Sequence, residues 1–186
     1  MRDDPVKDIH INSKTSIEDL VLQFGEAGGF VASKISTATS IMRNMQQENC
    51  TKFLSFPADI MATGTRGLLC QLVKNDMVDV IVTTCGTLDH DIARVLADYY
   101  HGDFAMDDKQ LRVEGVNRLG NVLVPDDSYG IPIENWMQPI LADIYDKESK
   151  WVPWKIWREL GLRLDNESNG SESLLAICAK KNIKVF

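Results

Sequence analysis

Near the start of the chain, apolar residues recur with the spacing of helices. Ile17, Leu20, Val21 and Phe24 share one face of a 3.6-residue period, and Thr15 with Glu18 three residues later supplies a capping-box pattern. Gly25 and the Gly28-Gly29 pair stop that helix. Phe30, Val31, Ile35, Ala38, Ile41, Met42 and Met45 repeat the spacing on a second helix, whose other side is Ser36, Thr37, Ser40, Arg43 and Asn44. Its methionines read as core filler. Residues 1–14 lack such a period and are expected to form an extended lead-in to a domain spanning 15–186.

Beyond residue 50 the pattern changes to short apolar runs alternating with helical ones. Residues 50–56 predict a strand, and Leu68, Leu69, Leu72 and Val73 a helix, before Asn75-Asp76 turns the chain into Val78-Asp79-Val80-Ile81-Val82. Four of those five residues are β-branched aliphatics, the pattern of a parallel strand buried on both faces. Strand, crossing helix and strand make a right-handed parallel unit, so the two strand ends, 57–63 and 84–87, should lie side by side. The second strand ends in Thr83-Thr84-Cys85-Gly86-Thr87. Small hydroxyl residues and a glycine there leave backbone N–H groups open to a ligand, and Asp89 is placed to cap a helix over 89–99. A strand, a turn and an Asp-started helix also occur where nothing binds. Neither G-x-G-x-x-G nor G-x-x-x-x-G-K-[ST] is present, so the pattern alone leaves both readings open.

Residues 99–109 read as an exposed connection. The stretch 111–125 alternates too irregularly for a long element and predicts a loop with a short strand at 122–124, Asn117 and Arg118 tying the loop to its neighbours. A helix over 133–147 should break or bend near Pro139. Another opens at Trp151-Val152-Pro153-Trp154, with Pro153 in its first turn and the tryptophans suited to packing or to contact with another chain. A polar loop at 166–171, a helix through Leu174, Leu175, Ile177 and Cys178, and a strand at 183–186 follow.

Composition narrows the class. A chain of 186 residues, 44% hydrophobic and 25% charged, suits one soluble globular domain with a sizeable core. Its net charge of -7 argues against nucleic acid or an anionic membrane as the main partner and tolerates a cationic ligand. No apolar run approaches the ~20 residues of a membrane helix, and a cytoplasmic protein is expected. Cys50, Cys70, Cys85 and Cys178 form no C-x-x-C pair and read as reduced, mostly buried thiols rather than a disulfide or metal framework.

Several long strings, in order, carry a resemblance: Met77-Val78-Asp79-Val80 to Thr83-Thr84, Gly115-Val116-Asn117-Arg118-Leu119-Gly120-Asn121-Val122-Leu123-Val124-Pro125, and the Trp151-x-Pro153 helix start. Together they resemble the deoxyhypusine synthase family over about residues 5–186. Thr83 to Arg94 and Tyr99-Tyr100-His101-Gly102-Asp103-Phe104 look like its archaeal form. The resemblance implies a Rossmann-like parallel sheet flanked by helices, and a tetramer with active sites between paired subunits. It further implies NAD-dependent transfer of the aminobutyl group of spermidine to one lysine of the hypusine-containing translation factor, through an imine on an enzyme lysine.

The resemblance also assigns positions. The family's Ser-Asn-Leu-x-Ser loop, which contacts NAD, matches Ala58, Asp59, Ile60 and Ala62 here, so two hydroxyls are lost and an amide becomes a carboxylate. Its Thr-Ala-Gly set matches Thr84, Cys85 and Gly86. A Glu-Glu pair near NAD and the polyamine becomes Asp89 and His90, the first either an ammonium ligand or a plain helix cap, the second either a proton carrier or a packed imidazole. The imine-forming lysine belongs to the family's second half, and no lysine of this chain matches it. The expectation is therefore an N-terminal portion with no catalytic residue of its own, completed by a C-terminal polypeptide that carries the lysine. The separation would arise from two genes, from cleavage or from the choice of segment. Rival readings are a homospermidine synthase-like transferase with a small amine acceptor, and a non-catalytic scaffold or regulatory subunit of a synthase complex.

Overall fold

The computed structural model describes residues 5–147 and 150–186. They form two compact units, one ending at Cys50 and the other running from Thr51 to Phe186. In the first, the lead-in lies back along α1 (Ile17–Ala27), with the Lys7 N–H donating to the Glu26 carbonyl (3.1 Å) and the His10 N–H to Gln23 Oε1 (2.7 Å). The first four residues of that lead-in lie outside the described ones. The capping box sits one residue later than the sequence pattern suggests: Ser16 Oγ accepts the Asp19 N–H (3.0 Å) and the Asp19 carboxylate accepts the Ser16 N–H (3.0 Å). Thr15 Oγ1 instead accepts from Asn12, so it is occupied outside the helix. Gly28, Gly29 and Phe30 all take positive φ in the turn to α2 (Ala32–Gln47), and Arg43 pairs with Glu18 at 2.5 Å. Neither helix holds a buried residue, and Met42 is exposed, so the expectation of methionine core filler fails here. Two helices meet along one seam and cannot enclose both apolar stripes.

The second unit runs β1 (Phe53–Phe56), α3 (Thr65–Lys74), β2 (Val80–Thr83), α4 (Cys85–Leu96), β3 (Tyr100–His101), α5 (Asp108–Val113), β4 (Val116–Leu119), β5 (Val122–Pro125), α6 (Gly130–Lys147), α7 (Pro153–Leu164), α8 (Leu174–Lys181) and β6 (Lys184–Val185). A 3₁₀ segment, Ala58–Ala62, follows β1. The strands β1, β2 and β6 form a parallel three-stranded sheet in that order, with Phe56 opposite Thr83 and Ile81 opposite Val185. The strand, helix, strand unit with adjacent tips is thus present. Phe56, Ile81 and Val185 join Leu69 and Val73 of α3, Leu88, Ile92 and Val95 of α4 and the α8 residues Leu174 to Cys178 in one core.

Burial of β2 on both faces is not observed. Val82 is 41% exposed and Phe53, on the same face by register, is 64% exposed. Only the alternate positions reach the core, because the strand's two-residue period sends neighbours to opposite faces. The cysteine expectation is half right: Cys70 and Cys178 are buried, while Cys50 and Cys85 are exposed, and all four are free.

The stretch read as an irregular loop folds into α5 and a hairpin. Strands β3, β5 and β4 form an antiparallel sheet in that order, and Gly120 (φ 63°) makes the β4–β5 turn. Asp107 caps α5 by accepting the Lys109 and Gln110 N–H groups. A helix of six residues is too short to show a period, which hides it in sequence. Asn117 and Arg118 do tie this region together: Asn117 Nδ2 donates to the Val124 carbonyl and Asp126, and Arg118 to Asp108 and the Gly120 carbonyl. Trp136 and Trp157 pack against the core. No helix of the described residues is long and apolar enough to cross a membrane.

Candidate functional site

The parallel register brings the tips of β1 and β2 into contact. The Thr83 hydroxyl donates to the Phe56 carbonyl (2.7 Å) and lies 2.6 Å from the Thr87 hydroxyl. The Ala58 N–H donates to Thr84 Oγ1 (3.1 Å), so the 3₁₀ segment is fastened to the start of α4. A Cβ added at Gly86 would stand 3.0 Å from that of Ala58, so glycine is what permits this approach.

Helix α4 begins at Cys85, four residues earlier than Asp89 would set it. Asp89 is therefore no N-cap. Its N-cap is Thr84, whose side chain makes no capping bond to its own helix, leaving first-turn N–H groups and their partial positive charge without a side-chain partner. Such a helix start, with glycine in its first turn, suits an anionic group such as a dinucleotide phosphate.

One turn further on, α4 carries Asp89 and His90. The Tyr129 hydroxyl donates to Asp89 (3.3 Å), and His90 Nδ1 lies 2.9 Å from the Tyr99 hydroxyl. The His90 ring meets Tyr99 edge-on and Tyr129 at a tilt of 38°. Burial lowers the His90 pKa, opposed by the nearby Asp89 and Asp59 carboxylates. Burial raises the pKa of Tyr99 and of Tyr129, Asp89 adding to both, so both phenols keep their protons at neutral pH. The cluster thus presents a carboxylate, a neutral imidazole and two aromatic faces. That set can hold an ammonium group and exchange hydrogen bonds with a polar ligand.

Two arginines lie on the elements around it. Arg94 Nη1 donates to the carbonyls of Met61 (3.0 Å) and Thr63 (2.6 Å), tying the β1 tip to α4. A cleft of about 430 Å³ opens beside it, lined by Ala62, Thr63, Gly64, Arg94, Tyr99 and Asn121 among others. Arg66, only 4% exposed, stands 3.6 Å from the fully buried Asp91. Asp91 accepts from Ser173 Oγ (2.8 Å) and from the N–H groups of Leu174 (3.1 Å) and Leu175 (2.8 Å), capping α8 across the core. Burial pushes its pKa up, against those hydrogen bonds and the Arg66 charge.

Of the positions singled out in sequence, Ala58, Asp59, Ile60 and Ala62 occupy the 3₁₀ segment, Thr84, Cys85 and Gly86 the start of α4, and Asp89 and His90 its second turn. Asp59, Thr84 and Cys85 are exposed, whereas Ala62, at 3%, is packed away. Tyr99, Tyr129, Arg94 and Asp91 were not legible as site residues. Asp91 had a signal, a carboxylate one helical turn from Thr87, Leu88 and Val95 on the core face. Tyr129 had none, since it arrives from 40 residues away.

Comparison with known proteins places the chain in a family. The family model for deoxyhypusine synthase matches residues 19–186. The chain is 50% identical to the "probable deoxyhypusine synthase" of Picrophilus torridus over 183 residues, 98% of this chain and 58% of that protein. With that of Thermoplasma acidophilum it shares 49% identity over 182 residues, 98% of this chain and 57% of the relative. It therefore spans somewhat over half the length of these relatives. A crystal structure of the deoxyhypusine synthase assigned in Entamoeba histolytica superposes with a TM-score of 0.64 at 21% identity, covering 97% of this chain and 63% of that one, a likeness of fold.

Proposed function

We propose, from the premise that the chain belongs to the deoxyhypusine synthase family, that it supplies part of the NAD and spermidine site of such a synthase. The reaction is transfer of the aminobutyl group of spermidine to a lysine of the hypusine-containing translation factor. The observation carrying this reading is the fastening of Ala58 to Thr84 at the joined strand tips, with Asp89 and His90 one turn away. Gly86 and the uncapped first turn of α4 would receive the dinucleotide phosphates, and Asp89 an ammonium of the polyamine. When bound, NAD would supply the hydride acceptor for oxidation of the amine.

The lysine that would form the imine is proposed to come from a separate polypeptide. Lys180 pairs with Asp165, Lys181 with Asp76 and Lys52 with Asp79, and Lys155 lies over Trp154, none of these partners a residue of the site. Assembly as a tetramer with that partner completes the proposal. Titration of NAD into the chain together with its complementary polypeptide tests it. Binding is expected, weakened about tenfold by Thr84→Val or Gly86→Ala. Unchanged affinity in both variants would remove the pocket from these tips. A scaffold role is the second reading, favoured by the exposed carboxylate of Asp59 beside the expected phosphates and by the burial of Ala62. Intact assembly with no NAD binding would select it.

A further inference from the structure

The groups around His90 bear on which of its ring nitrogens carries the proton. Nδ1 lies 2.9 Å from the Tyr99 hydroxyl, and the two rings stand edge to face, centroids 5.7 Å apart and planes at 88°. The Tyr129 hydroxyl points elsewhere, its hydrogen donated to Asp89. Among the described residues, the half-buried Tyr99 hydroxyl has one hydrogen-bond partner, this nitrogen. Tyr99 keeps its phenolic hydrogen at neutral pH because burial raises its pKa. Were Nδ1 to carry the imidazole hydrogen and donate, the phenolic hydrogen would be left with no protein acceptor, the costlier arrangement. The phenol therefore donates, Nδ1 accepts, and Nε2 holds the ring's hydrogen. An N–H at Nε2 cannot pair with an ammonium, which offers only donors.

We propose that Tyr99 is a positioning residue that fixes His90 as its Nε2–H tautomer, so that His90 meets the dinucleotide as a neutral donor to an oxygen acceptor and leaves the polyamine ammonium to Asp89. The choice of ligand rests on the NAD site proposed above; the tautomer rests only on the Tyr99 contact. This gives His90 a different task from a carboxylate at the same position. It binds an acceptor where a carboxylate would bind a donor.

Multiple-bond nitrogen–proton NMR on the intact, nitrogen-labelled chain near neutral pH reads the tautomer directly, the His90 signals being those that vanish in His90→Gln. The expected spectrum shows an unprotonated Nδ1 and a protonated Nε2; the reverse pattern overturns the assignment. In Tyr99→Phe the two tautomers should mix, and a pattern unchanged from the wild type would show that Tyr99 does not set it. If that variant fails to fold, the wild-type spectrum still decides the tautomer. NAD added to the labelled chain in complex with its complementary polypeptide should move the Nε2 and attached-proton signals, and Tyr99→Phe should weaken its binding by about three- to tenfold. Saturation with NAD that leaves Nε2 unmoved refutes the donor role. Absence of NAD binding with the tautomer as assigned would sink the dinucleotide site while the part played by Tyr99 stands.

Discussion

At the scale of single residues, the site is shaped by where charge and protons are allowed. His90 has a folded-state pKa lowered by burial, so the unfolded chain takes up its proton more readily. Its contribution is intact above the unfolded value of about 6.5 and is lost as pH falls through that value toward the lower folded one. Urea midpoints should therefore drop between about pH 7.5 and 5.5, and His90→Gln should flatten that slope. The thiols divide in the same way. Burial raises Cys70 to about 11 and Cys178 further still, whereas Cys50 and Cys85 are exposed. A native-state titration with a thiol reagent should modify Cys50 and Cys85 quickly and the other two only on unfolding. Asp91→Ala strips Arg66 of its buried partner and the first N–H groups of α8, those of Leu174 and Leu175, of their acceptor, and should cost about 3–5 kcal/mol in denaturant unfolding.

At the scale of elements, close contacts between backbones decide what is tolerated. Gly161 of α7 faces α8, and a Cβ there would overlap the Leu175 carbonyl and press on Ala179. Gly161→Ala should lower stability by roughly 1–3 kcal/mol, since backbone cannot yield as a side-chain tip can. Gly67 lies on the exposed side of α3 with nothing near its Cβ position, so Gly67→Ala should add about 0.5–1 kcal/mol through helix propensity. Thermal midpoints moving in opposite directions would bear this out. The same logic explains α4. Aspartate is a good cap and points to a start at Asp89, but Thr84, engaged by the Ala58 N–H, already ends the strand, and the helix begins at once. That shift moves Asp89 from a capping position to an inward turn where Tyr129 can reach it.

At the scale of the whole molecule, the core belongs to the second unit: every residue of the buried cluster lies at or beyond Phe56. Expressed alone, Thr51–Phe186 should unfold cooperatively at a midpoint close to that of the full chain, while residues 1–50 should show no cooperative transition by circular dichroism. Loss of folding in the longer fragment would assign the first unit a share of the core that its helices do not display. The sequence by itself determined the family and the parallel β1–β2 pairing, and it singled out the tips of that pair as the candidate site. Each of these follows from local pattern: β-branched runs, a glycine after threonines, long ordered strings. Only the tertiary structure decided which face of β2 is covered, that Asp91 serves α8 and that Tyr99 and Tyr129 enclose His90. Those facts depend on residues brought together from distant parts of the chain, and periodicity, a property of neighbours, carries no record of such encounters.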